Sequence, residues 1–380
     1  MQAFQLQNGR MIFFVYNVCM NIMTLLKKGM ALFLSFSIVF AALPVPQSLM
    51  QMLARKDLTF QTGASAAVYM RLKDFQASLQ DYPFFEEYGF SIYEEESNDG
   101  TYVIPGLKIC PSFDLHGQSA TCGNMVVQGL CVAKEYLIIS CYCHDYLHNS
   151  VLMMINKQNG KLVNTIVLSD LPHAGSVAYD PGSQLVWIST GKTNKASISA
   201  LRLEDMVSYS YLNSGTPISY FKRYYVPMMV RNSFMTYYND KLIAGTFMYG
   251  FTGSALTQIY LDESGLPSRT LGTLETKSTS TIASNCQGIA MNHRYIFASF
   301  SNGPYQTSKL CIFSYGDSQL FEINALASFE LPECLEQIWL DGDDLYLMFE
   351  SACWPFRNDT IHHIDRIIKI NVPALLASLK

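Results

Sequence analysis

From Met125 to the C-terminus the chain is built of short apolar runs, each about four to eight residues long and closed by a polar or glycine-containing break, a pattern that predicts β-strands. The runs recur in a fixed order. A polar residue, usually followed by a small one, opens an apolar strand; a tight break follows, and a second apolar strand runs back. The echo reads QGLCVAKEYLIIS from Gln128, GSVAYDPGSQLVWIS from Gly175, NSFMTYYNDKLIAGT from Asn232, QGIAMNHRYIFAS from Gln287 and EQIWLDGDDLYLMF from Glu336. Its spacings of 47, 57, 55 and 49 residues match one four-stranded propeller blade with its loops. The pattern predicts an all-β fold, a β-propeller of five blades with four strands each.

Further strand-like runs complete most blades, with SRTLGTL expected as the fourth strand of the third. The last repeat is one strand short, since only PALLASLK, a terminal helix by pattern, follows IDRIIKIN. An open ring exposes unpaired backbone at its seam, so an upstream strand is expected to close it. TYVIPGLK, at 101–108, is the natural donor; a sixth blade drawn from residues 64–120 is the alternative. The expected organisation is a signal peptide over 1–41, a partly helical segment over 42–100, and the propeller over 101–380.

Composition supports a folded, β-rich protein. The 380 residues are 49% hydrophobic and 13% aromatic with 15% charged, which excludes a disordered chain. The formal charge is −5, and no basic run interleaves with the aromatics, so nucleic acid is not an expected partner. Lys27 and Lys28 precede the apolar core MALFLSFSIVFA, and Val39-Phe40-Ala41 fits a signal-peptidase site after Ala41. Export to an extracellular or cell-surface location is the expectation, with an uncleaved signal sequence as the alternative and sole membrane attachment; an upstream start codon is the expected origin of the stretch MIFFVYNVCM. Removing residues 1–41 leaves 23 basic against 31 acidic residues. Nine cysteines follow Ala41, an odd number without zinc-type CxxC pairs, so neither a full disulfide framework nor a structural metal is signalled. Cys286 and Cys334, each just ahead of an inner strand, are the bridge most expected, with buried free thiols as the alternative.

TYVIPGLK, QGLCVAKEYLIIS, the segment HNSVLMMINKQNGKLVNTIVLSDLPHAGSVAYDPGSQLVWIS and LYLMFESA together resemble secreted β-propeller-like proteins of Gram-positive bacteria, over roughly residues 85–371. That resemblance implies a propeller and export. More loosely, the Gln-Gly opening is similar to phytase-like and strictosidine-synthase-like propellers. Those enzymes hold calcium through acidic loops, which are poor in Asp and Glu here, so phytase activity is not implied.

Propeller geometry gathers the inner-strand openings and the loops between second and third strands on one face. Gln128, Asn232, Gln287 and Glu336 are expected around the funnel mouth, with His173 beside Gly175. The loops add His144, His148, Tyr249, Tyr305, Trp354 and Arg357, among other aromatic and polar residues. Aromatic faces with amide neighbours suit a glycan, a peptide or a small polar ligand; the competing reading packs the same rings against neighbouring loops. Glu336 opens one strand and Glu350 ends its antiparallel neighbour, so the two carboxyls and His173 are the candidate acid-base groups. The competing reading pairs one carboxyl with Arg357. His144, Asp145 and His148 are a weak metal motif on a strand-to-loop passage, and no cofactor is expected; a funnel cation has no support in the sequence. His362 and His363 read as a solvated pair. No GxSxG, HExxH, P-loop or dinucleotide motif occurs. The sequence therefore predicts an exported binding or scaffold module, with a propeller hydrolase or lyase as the alternative.

Overall fold

The computed structural model describes residues 71–191, 195–227, 229–250, 253–270 and 273–379. The expected signal segment lies outside the described residues, as do Lys192 and Phe251. Five sheets, each with four antiparallel strands, form the blades of a β-propeller. Blade 1 holds Met125–Ala133, Tyr136–Cys143, Val151–Asn156 and Leu162–Val167; blade 2 holds Val177–Asp180, Leu185–Ser189, Ser197–Arg202 and Lys222–Tyr225. Blade 3 holds Phe234–Tyr237, Lys241–Gly245, Ser254–Tyr260 and Thr276–Ile282. Blade 4 holds Cys286–Met291, Tyr295–Phe300, Ser308–Ser314 and Ala327–Leu331. Blade 5 holds Leu335–Asp341, Asp344–Phe349 and Arg366–Asn371, and Thr101–Val103 supplies its outer strand. The seam is closed as the one-strand deficit required: Thr101 lies opposite Ile368, Tyr102 opposite Ile367 and Val103 opposite Arg366.

Three sequence expectations change. SRTLGTL does not complete blade 3; Arg269–Thr270 and Thr273–Leu274 pair with each other, Thr276–Ile282 supplies the fourth strand, and Gln319–Leu320 pairs in parallel with its last two residues. Its run of Thr and Ser keeps β-propensity while tolerating an exposed edge. Residues 101–120 do not start a sixth blade. Cys110–Phe113 and Ser119–Cys122 form a lone hairpin against blade 1, where Ser112 Oγ donates to the Asn149 carbonyl at 2.7 Å and Asn149 N donates to the Phe113 carbonyl at 2.9 Å. Finally, Cys286 and Cys334 are both free and buried. Cys286 turns its thiol onto its own strand, 3.4 Å from the Gly288 carbonyl, inside an apolar cluster with Phe313.

The helical segment before the ring begins at Leu72–Ser78 and continues through short turns to Tyr93. Its aromatic patch covers blades 4 and 5, with Phe84 5.1 Å from Phe329 and Phe85 6.3 Å from Phe349 between ring centroids. Among the described residues, no helix is long and apolar enough to cross a membrane.

The repeated polar opening has a structural cause. In blade 1 Val127 faces Cys141 and Gly129 faces Ser140, so Gln128 is the extra residue of a β-bulge. Gln287 is bulged between Cys286 and Gly288 in blade 4, and Glu336 and Gln337 lie in the bulge between Leu335 and Ile338 in blade 5. A bulged residue leaves the ladder, which frees its side chain for the channel. The following glycine lets the next blade approach. A Cβ on Gly129 would lie 2.3 Å from Ser140 Oγ and 2.7 Å from Val177 N, and one on Gly288 would lie 2.7 Å from Ser299 Oγ and from Ile338 N. The serines are the rivets. Ser140 Oγ accepts from Gly129 N and donates to the Ala174 carbonyl at 2.7 Å, and Ser299 Oγ donates to the Glu336 carbonyl at 2.8 Å. Gly288→Ala should therefore destabilise the protein by about 1–3 kcal/mol, the cost of overpacking a filled site, as read by urea denaturation; a neutral change would show that the blades separate freely.

Gln337 closes the channel. This fully buried side chain crosses the axis from blade 5, donating to the carbonyls of Val177 at 2.7 Å and Met235 at 2.8 Å and accepting from Val177 N at 3.1 Å. Blades 2 and 3 lie opposite blade 5 in the ring, so one amide ties three inner strands.

Candidate functional site

Beside that plug, the inner-strand openings and blade loops surround a funnel of about 970 Å³. The polar part of its lining holds Gln128, Asn232, Gln287, Glu336 and Glu350, the first four being the positions of the sequence echo. Rings supply the walls: Tyr142, Tyr146 and His173 on one side, Phe247, Tyr249 and Phe356 elsewhere. Arg231 adds a cation.

The two carboxyls meet rather than oppose one another. Gln128 Nε2 donates to Glu350 Oε2 at 2.8 Å, Gln287 Nε2 donates to Glu336 Oε1 at 3.0 Å, and the two carboxyls lie within hydrogen-bonding reach of each other. Both are buried. Burial, and for Glu336 the facing carboxyl as well, pushes Glu336 well above the ordinary carboxylate range; burial also raises Glu350, against the hydrogen bonds it accepts from Glu336 and Gln128. Arg357, the expected partner, places its guanidinium 5.3 Å over the Trp354 ring.

His173 stands at the wall with its ring 4.0 Å from Tyr142 and its Nδ1 3.3 Å from the Tyr146 hydroxyl. Surrounding side chains, and then the nearby charges of Arg231 and His144, lower its pKa, so the imidazole is neutral in the funnel. The residue itself keeps substantial solvent exposure, which limits the size of that shift. Asn232 Nδ2 lies 3.5 Å from the Met235 sulfur, while its buried Oδ1 has no partner among the described residues.

The loop candidates divide. Tyr249 lines the funnel, packed edge-on against Phe247 at 4.9 Å, and is 74% exposed. Tyr305, Trp354 and Arg357 are not part of the lining, although their neighbours Pro304 and Phe356 are. His144 and His148 also stand outside it. His144 Nδ1 lies 3.4 Å from Asp145, whereas His148 turns to Cys143 at 3.5 Å, so the two histidines do not share a ligand set. His362 is not simply solvated either: its ring Nδ1 is 3.0 Å from Glu333, which also accepts from the backbone N–H groups of Ile361 and His362. Sequence reasoning missed Gln337, Arg231 and Phe247. For Gln337 a signal existed, since the fifth repeat alone replaces the small second residue with a long amide.

No protein-family model matches the chain, and no curated protein matches its sequence. Solved structures resemble it distantly. One, from the nidogen/laminin complex, aligns over 74% of this chain and 91% of that chain, with a TM-score of 0.39 and 9% identity. The GH43_1 enzyme from Xanthomonas citri complexed with xylose aligns over 65% of this chain and 87% of that chain, with a TM-score of 0.38 and 10% identity. The Cps50 (Swd1) β-propeller domain from Myceliophteria thermophila aligns over 72% of this chain and 99% of that chain, with a TM-score of 0.33 and 13% identity.

Proposed function

We propose that the protein is an exported propeller module that binds a polar, hydroxyl-rich ligand, a glycan or peptide-like segment, in the funnel. The observation that carries this reading is the combination, in one concavity, of ring walls with a floor of amides and a buried carboxyl pair. Tyr146 and Tyr249 offer apolar faces to C–H groups, while the floor amides and carboxyls fix orientation. The unpartnered Asn232 Oδ1 is an acceptor that a ligand hydroxyl or a water would satisfy. Export rests on the sequence pattern ahead of Ala41 and on the resemblance to secreted propeller-like proteins of Gram-positive bacteria. A panel of oligosaccharides, peptides and polar metabolites, screened by thermal shift, tests the reading. A ligand at about 100 times its Kd should add about 2.7 kcal/mol of stability, and a uniformly silent panel would count against this ligand class.

The second reading, a hydrolase or lyase, is favoured by one observation, two buried carboxyls brought together in the funnel lining that also holds His173. A protonated Glu336 is suited to act as a general acid. The pair is not arranged as a two-carboxylate glycosidase, which separates its carboxyls by about 5 Å or more to admit the sugar. If the protein turns over its ligand, Glu336→Gln should abolish turnover and leave binding nearly intact; wild-type turnover by that variant would remove Glu336 from any mechanism.

A further inference from the structure

Away from the funnel lining, Cys122, Cys143 and His148 bring their ligand atoms within 4.8 Å of one another. Cys122 ends the lone hairpin, Cys143 ends the second strand of blade 1, and His148 lies five residues further along the loop. From this juxtaposition we infer that the three residues form a binding site for a soft divalent metal, zinc above all. The spacing fits the ion. Zn–S and Zn–N bonds of about 2.3 and 2.0–2.1 Å at a tetrahedral angle put sulfur and nitrogen about 3.6 Å apart. Cys143 Sγ and His148 Nδ1 are 3.5 Å apart, and the Cys122 and Cys143 thiols are within hydrogen-bonding reach. Two thiolates and an imidazole select zinc over calcium or magnesium, which require oxygen.

The surroundings pre-form the site. Both cysteines are buried, so little side-chain freedom remains to be lost on binding. The hairpin is also held against the loop by the Asp114–His148 bridge and by the His144 N to Asn124 carbonyl bond at 2.9 Å. Metal would pin both ends of the loop 143–148. Midway along it sits Tyr146, in the left-handed region at φ 54° and on the funnel wall beside His173. The site therefore sets the position of a wall residue and fastens the hairpin to blade 1, independently of what the funnel binds.

The test uses the full chain, purified under reducing conditions and stripped with a chelator. Cobalt(II) should bind at one equivalent per chain with a near-ultraviolet thiolate charge-transfer band, and zinc should displace it. Cys143→Ser should abolish the band, His148→Gln should weaken binding at least tenfold while leaving both thiols in place, and Cys286→Ser, at a remote buried cysteine, should match wild type. Absence of the band with titratable thiols intact would overturn the proposal. So would a Cys122–Cys143 disulfide found by alkylation and mass analysis of freshly isolated protein, or unchanged cobalt affinity in His148→Gln.

Discussion

Gln337→Ala should cost about 3 kcal/mol of unfolding free energy, because it strips three buried backbone groups of their partner at once. The Val177 N–H, the Val177 carbonyl and the Met235 carbonyl all depend on that amide, and it is fully buried where blades 2, 3 and 5 converge. Each such group left unpaired costs about 1–3 kcal/mol, softened where a water enters the vacated space. Gln337→Met, which keeps length but not the amide, separates packing from hydrogen bonding and should lose nearly as much. Denaturant titration of both variants checks the expectation. A loss below about 0.5 kcal/mol in each would mean that the ring closes without its plug.

The second large effect is a fall in stability with rising pH, centred on the carboxyl pair. Glu336 and Glu350 hold their protons more tightly in the folded chain than in the unfolded one, where a glutamate titrates near 4.5. The stabilisation is thus fully present below that value and is lost as pH rises through the raised folded values, about 8 for Glu350. Between pH 5 and 9 the loss should be on the order of 3 kcal/mol. Glu336→Gln removes one of the two titrating groups while leaving Glu350 raised by burial, so its profile should be flatter and its alkaline stability higher. Thermal unfolding of wild type and variant across that range decides the matter, and parallel profiles would show that the pair titrates normally.

The sequence carried the ring and its funnel because one local device recurs. A bulged polar residue followed by glycine leaves a readable dipeptide at Gln128-Gly129 and Gln287-Gly288, since the bulge demands the first and the neighbouring blade the second. The missing strand was legible for the same reason, as a deficit in a counted repeat. What stayed hidden was set by long-range approach. Nothing near Cys122 in the sequence signals that a hairpin outside the blades meets the end of a blade 1 strand, and Cys143 and His148 are separated by a spacing that matches no familiar zinc motif. The outer strand of blade 3 was misplaced because outer strands bear few core positions, so Thr276–Ile282 carries mostly polar residues that look like loop. Trp354 and Tyr249 are both exposed loop aromatics in sequence terms; only the turn geometry around Cys353–Phe356 separates them, leaving Phe356 rather than Trp354 in the lining.

A ligand seated in the funnel touches Tyr249 and not Trp354. Calorimetric titration of a ligand from the thermal-shift panel against wild type, Tyr249→Ala and Trp354→Ala tests this. Loss of the Tyr249 ring from the funnel wall should weaken affinity about tenfold, about 1.4 kcal/mol, while loss of the Trp354 ring outside the lining should leave affinity unchanged. Unchanged affinity in Tyr249→Ala, together with a tenfold loss in Trp354→Ala, would put the ligand outside the funnel and contradict the account.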